Sequence, residues 1–121
     1  MTVSHQHEDH NAVALVKPTS RREKVFLVTQ PGEYEVGGVS VFGVPTYHDD
    51  TNGALRGSNT VFTILLDGIR LCHLGDLGHP LSNEQIEAIG SVDILICPVG
   101  GVYTIDPTVA VKTIRQIEPA I

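Results

Sequence analysis

Thr60-Val61-Phe62-Thr63-Ile64-Leu65-Leu66-Asp67-Gly68-Ile69-Arg70-Leu71-Cys72-His73-Leu74 is the stretch whose reading settles the architecture. Two apolar runs rich in β-branched residues flank a single Asp-Gly pair. Such a pair readily takes the positive φ of a tight turn, so Thr60 to Leu66 and Ile69 to Leu74 are expected to be antiparallel strands. Upstream, Pro31 to Val36 and Val39 to Tyr47 flank Gly37-Gly38 and read as a second hairpin. Val25 to Thr29 reads as a further strand, and His10 to Val16 as a short helix ended by Pro18. Met1 to Ser4 is a strand remnant or a loop, and Asn52-Gly53 through Ser58 forms a polar loop.

Downstream the pattern changes to helix, strand, helix. Ser82-Asn83-Glu84-Gln85 is a capping box, with Leu81 and Ile86 placed to form a hydrophobic staple and Gly90 at the C-terminal stop. Val92 to Cys97 is a nearly continuous apolar run, expected to be a strand covered on both faces. Asp106-Pro107 opens the last helix as N-cap and first-turn proline. Ala110, Ile114 and Ile117, with Val111 beside them, form its expected apolar stripe, and Pro119 ends it. Helices should therefore cover one face of a mixed sheet in a single α/β (α+β) domain spanning residues 1–121.

Composition narrows the function. The 121 residues are 41% hydrophobic and 18% charged, as in a soluble globular protein. A net charge of −6 argues against nucleic acid as the main partner. Arg21, Arg22 and Lys24 form the one basic cluster and read as a solvated loop. No apolar run approaches the ~18 residues of a membrane span, so no membrane partner is expected. The first ten residues are polar and unlike a signal peptide, and a cytoplasmic location is expected. Cys72 and Cys97 lack CxxC spacing and read as buried, reduced thiols.

The chemistry sits in three short segments. Ser4-His5-Gln6-His7-Glu8-Asp9-His10 places three histidines and an aspartate in six positions. Imidazoles and carboxylates at this density suit a first-row metal ion better than a hydrophobic core. In extended chain, His5 and His7 point to the same side and can grip one ion. Asp9 and His10, after the chain turns, can face another. His48-Asp49-Asp50 follows a strand end, where open sheets put working groups. Cys72-His73-Leu74-Gly75-Asp76-Leu77-Gly78-His79 ends another strand, with two glycines allowing a sharp bend around Asp76. His73, inside the strand, reads as structural. His79 reads as a substrate-facing or supporting group, or as plain loop. Two ions sharing such a site would acidify a water and polarise a carbonyl or phosphoryl oxygen, so the expected chemistry is hydrolysis by a metal-bound hydroxide.

His5-Gln6-His7-Glu8-Asp9-His10, then His48, then Gly75-Asp76, resembles the metallo-β-lactamase superfamily. Pro31 to Val39, Cys72 to Pro80 and Pro98 to Thr104 resemble its prokaryotic, lactonase-related branch of Zn-dependent hydrolases. The resemblance covers essentially the whole chain and implies part of an αββα sandwich. It also implies that His5, His7 and His48 hold a first metal, that Asp9 and His10 hold a second, and that Asp76 bridges them. Asp9 would in addition orient the attacking water or take up a proton, as the catalytic residue. Zinc, as two ions, is the implied cofactor, with manganese as the alternative.

Family members carry strands before the first motif and a further strand with one more ligand histidine at the end. By that measure the chain resembles an internal piece of a roughly 200-residue domain. Uncovered sheet edges are then expected to drive homo-oligomerisation or other association. The functional expectation is hydrolysis of a small ester, lactone or amide. The alternatives are a metal-binding but inactive truncated domain and a phosphodiesterase of the same superfamily.

Overall fold

The structure is a computed structural model and describes residues 1–121. Five strands form one sheet in sequence order: β1 (Gly32–Val36), β2 (Val39–Tyr47), β3 (Ser58–Leu66), β4 (Ile69–His73) and β5 (Ile94–Ile96). The first four pair antiparallel, and β5 runs parallel to β4. A parallel neighbour requires a crossover, which α1 (Asn83–Ile89) supplies. The last helix is α2 (Pro107–Ile117). This is a mixed α+β sheet with two helices.

Both hairpins form where their turn residues predict. Gly37 and Gly38 have φ of 62° and 82° between the paired Val36 and Val39, and Asp67 and Gly68 have 51° and 80° between Leu66 and Ile69. The capping box is complete, with the Gln85 N–H donating to Ser82 Oγ and the Ser82 N–H donating to Gln85 Oε1. Asp106 caps α2 by accepting the Val109 N–H at 2.8 Å.

Four expectations need correction. Val25 to Thr29 is not a strand; Val28 makes a single parallel bridge with Thr2. The short helix is only a 3-10 turn at Val13–Leu15, with no buried residue to hold a longer one. β5 is not covered on both faces: Ile96 is 48% exposed, and the backbone of Ile121 lies along its outer edge, bonded to Asp93 and Leu95. On α2 the buried stripe is Ala110, Thr113 and Ile117, while Val111 and Ile114 face outward.

The two faces of the sheet differ sharply. Residues opposite one another in the register share a face. Val44 with Val61, and Thr63 with Cys72, lie on the helix side. There they join Leu74, Leu77, Leu81, Ile89, Val92, Ile105, Ala110 and Ile117 in the core. Leu74 and Leu77 are wholly buried, and burial of each contributes about 1.5–3 kcal/mol. On the other face Val41, Ile64, Leu71 and Ile94 form one row across four strands, all only partly buried. Leu66 and Ile69, also on this face, are half exposed.

Candidate metal centre

The cluster forms at the end of the sheet where β2 and β4 run out into loops. The first residues are held there by backbone bonds. The Val3 N–H donates to the Val28 carbonyl at 2.9 Å, and the Thr60 N–H donates to the Ser4 carbonyl at 2.8 Å, where β3 extends beyond the end of β4. His5 follows directly and is 4% exposed. The Tyr47 carbonyl accepts the Gly78 N–H, and the Tyr47 N–H donates to His79 Nε2 at 3.1 Å. The loop after β4 is thereby stitched to the end of β2, beside His48.

Glycine is required at both bends of that loop. A Cβ on Gly75, whose φ is +60°, would collide with the Asn59 side chain and Ser4. A Cβ on Gly78 would collide with the backbone of His48 and Asp49. The sequence pattern gives glycine a bending role here; the structure adds close approach as a second reason for it.

Between these segments the imidazoles converge. Ring centres lie 4.8 Å apart for His5 and His7, 4.8 Å for His5 and His48, 4.9 Å for His7 and His48, and 4.6 Å for His5 and His10. Asp76 Oδ2 lies 3.3 Å from His48 Nε2, 3.7 Å from His10 Nε2 and 3.8 Å from His5 Nε2. Two trios have donor atoms within 4.8 Å of one another: His5, His7 and His48, and His5, His10 and Asp76. Asp9 stands on the rim, with its Oδ2 3.4 Å from His10 Nε2 and its side chain 78% exposed. His79 does not line the cleft; it holds Tyr47, and its Nδ1 lies 2.7 Å from the Pro80 carbonyl. With Nε2 accepting from Tyr47, Nδ1 must carry the proton, so this ring is a neutral clamp. His73, on the sheet face away from the helices with its pair-mates Phe62, wholly buried, and Ile96, half exposed, is only partly buried.

The donor set fits a divalent cation. His5 Nε2 and His48 Nδ1 are buried without a hydrogen-bond partner. Buried polar nitrogens normally find partners, and the unpartnered His5 Nε2, 3.8 Å from Asp76 Oδ2 inside the cluster, suits a ligand that accepts a lone pair. Burial lowers the His5 pKa to about 4, with the charges of His48, His10 and His7 acting the same way and Asp76 opposing them. Its ring is therefore neutral near pH 7, the form that donates a lone pair. Ser4 Oγ, 3.0 Å from His5 Nδ1, orients it from behind.

Several residues that build the site carry no obvious signal in sequence. Asn59, 1% exposed, donates to Thr46 Oγ1 and the Leu74 carbonyl and accepts the Asp76 N–H at 3.0 Å. An asparagine at the head of an apolar strand is unfavourable there, and that misfit is the clue it offers. Asp49, beside His48, accepts the N–H groups of Thr51, Gly53, Leu55 and Arg56 and the Thr51 hydroxyl. Burial works to raise its pKa, and these bonds outweigh it, holding the carboxyl well below its usual range. The resulting rigid loop brings Arg56 to a cleft of about 300 Å³, lined also by His7, Asp9, His48, Asp76 and Tyr103.

A five-stranded sheet with helices on one face, and histidines and an aspartate gathered at its strand ends, defines a class. The family described as the β-lactamase superfamily domain matches residues 1–121, and the chain belongs to it. A UPF0173 metal-dependent hydrolase from Thermococcus onnurineus is 28% identical over 137 residues, covering 97% of this chain and 61% of that protein. Another from Thermoplasma acidophilum is 34% identical over 91 residues, covering 74% of this chain and 40% of that protein. A solved structure from Thermotoga maritima, assigned to the Zn-dependent hydrolases of the metallo-β-lactamase superfamily, superposes with a TM-score of 0.79 at 42% identity. It covers 98% of this chain and 53% of that one. The chain thus spans between two-fifths and three-fifths of the length of these relatives.

Proposed function

We propose that the protein is a metal-dependent hydrolase of small esters, lactones or amides. The observation that carries this reading is the convergence of His5, His7, His10, His48 and Asp76, with the buried His5 Nε2 left unpartnered inside the cluster. His5, His7 and His48 would hold one cation and His10 and Asp76, with His5 or Asp9, a second. Zinc suits the imidazole-rich trio, and manganese the more carboxylate-rich one. When bound, such ions supply Lewis acidity and lower the pKa of a coordinated water. Asp9, exposed beside His10, can accept a proton at its carboxylate and exchange it with solvent. Asn59 holds the Asp76 backbone, and Ser4 orients His5. Hydrolysis of a generic aryl ester or lactone, abolished by chelator and by His7→Ala, is the expected result. A folded, metal-loaded protein with no turnover on such substrates would contradict it.

A second reading is a metal-binding unit that is inactive unless further segments complete it. Half-exposed apolar side chains on the sheet face away from the helices, Leu66 and Ile69 at one end of β4 and Ile96 beside the other, and the partial coverage of relatives favour this reading. The same face supports association, either between copies or with a covering segment. Two free cysteines suit a reducing compartment such as the cytoplasm, and no helix is long and apolar enough to cross a membrane.

A further inference from the structure

Arg56 is the one lysine or arginine lining the cleft that holds His7, Asp9, His48 and Asp76. Its guanidinium has no carboxylate partner, since every ion pair in the molecule is formed by a histidine. It is nonetheless fixed at both ends. Its backbone N–H donates to Asp49 Oδ2 at 2.7 Å, and its Cζ lies 5.4 Å from the centre of the Tyr103 ring. An arginine stacked on an aromatic ring keeps its planar fork oriented, and that fork matches the two oxygens of a carboxylate or phosphate. A half-buried cation on the wall of a cleft, anchored but unpaired, is poised for an anion from outside the chain.

We propose that Arg56 determines specificity by gripping an oxyanion group, carboxylate or phosphate, carried by the substrate away from the bond that is cleaved. Tyr103 orients the guanidinium. Asp49 is a positioning residue, acting through the loop that presents Arg56. The proposal rests on the hydrolytic reading of the cleft for its substrate but not for its anion site.

The test compares 4-nitrophenyl hydrogen succinate with 4-nitrophenyl 4-methylpentanoate, whose isopropyl group replaces the carboxylate. The native protein should favour the anionic ester in kcat/KM. Arg56→Gln should cut that preference by about ten- to a hundredfold, through KM rather than kcat, as expected for loss of a charge-assisted hydrogen bond made equally in ground and transition states. Arg56→Lys should retain part of it. Equal losses on both esters, or a loss confined to kcat, would overturn the assignment. Independently of turnover, succinate titrated into the metal-free protein should shift the Arg56 Nε–H resonance in NMR spectra. No shift at that proton would also overturn it. Hydrolysis of neither ester, with the shift present, would count against the hydrolase reading and leave the anion site standing.

Discussion

Asn59 Oδ1 accepts the backbone N–H of Asp76 at 3.0 Å, while its Nδ2 donates to Thr46 and Leu74. One buried amide thus ties β2, β3 and the loop after β4 together beneath the cluster. Asn59→Ala leaves the Asp76 N–H and the Leu74 carbonyl without that partner. The expected loss of stability is about 2–6 kcal/mol, from roughly 1–3 kcal/mol for each of the two orphaned groups. Metal affinity should fall with it, because the Asp76 loop loses its anchor. Urea denaturation and a metal titration of the same variant measure both, and unchanged values in both would contradict this role.

Gly78 lies against the backbone of His48 and Asp49, with no room for a methyl group. Gly78→Ala should force the Asp76 loop away from β2, at about 1–3 kcal/mol. Its effect on metal binding should exceed that of Gly68→Ala, where a Cβ would meet nothing within 4 Å. Gly68 lies in the β3–β4 turn, at the opposite end of β4 from the cluster, so its variant shows the effect of an added methyl group without close approach at the site. Gly68 itself has φ +80°, and its variant carries only a backbone penalty. Equal metal affinity in the two variants would count against the argument.

The local devices of the fold were legible because each is written in a few adjacent residues. Asp67-Gly68, Gly37-Gly38, Ser82 to Gln85 and Asp106-Pro107 all act where they stand. Misreadings arose where tertiary partners decide. Val25 to Thr29 is apolar enough for a strand, yet only Val28 finds a partner. Thr113 faces the core while Ile114 faces out, so neighbouring elements, not hydropathy alone, set the helix face. The metal-ligand candidates stood out by residue type. Asn59, Arg56 and Tyr103 did not, because their roles exist only after distant segments meet.

Acid should destabilise the metal-free chain in two stages. His5 has a folded pKa of about 4 against an ordinary 6.5. Its neutral form therefore adds stability that is complete above pH 6.5 and lost as pH falls toward 4, where the unfolded chain takes up a proton that the folded one resists. Asp49, held well below its usual range, adds stability present above its ordinary value and lost at lower pH still. The melting temperature should fall between pH 6.5 and 4, and His5→Gln should flatten that fall. An identical slope in the variant would show that His5 does not carry it.

The cross-strand pair Leu66 and Ile69 is half exposed on the face away from the helices and continues into the partly buried Leu71 and Ile94. Such strips drive association. Leu66→Lys with Ile69→Glu should shift the protein toward monomer in sedimentation or gel filtration, without unfolding it, because neither side chain belongs to the core. A native chain that is already monomeric at high concentration would contradict this expectation.

The most direct test is a titration of Zn²⁺ or Mn²⁺ into metal-free protein, followed by calorimetry and NMR. Two ions per chain are predicted, with the imidazole resonances of His5, His7 and His48 responding to one and those of His10 to the other, and with His48→Ala or Asp76→Ala weakening uptake at least about tenfold, as removal of a ligand or its supporting contacts does. Uptake that leaves the His48 ring unperturbed, or that survives both substitutions undiminished, would contradict the idea that these distant residues form one metal centre.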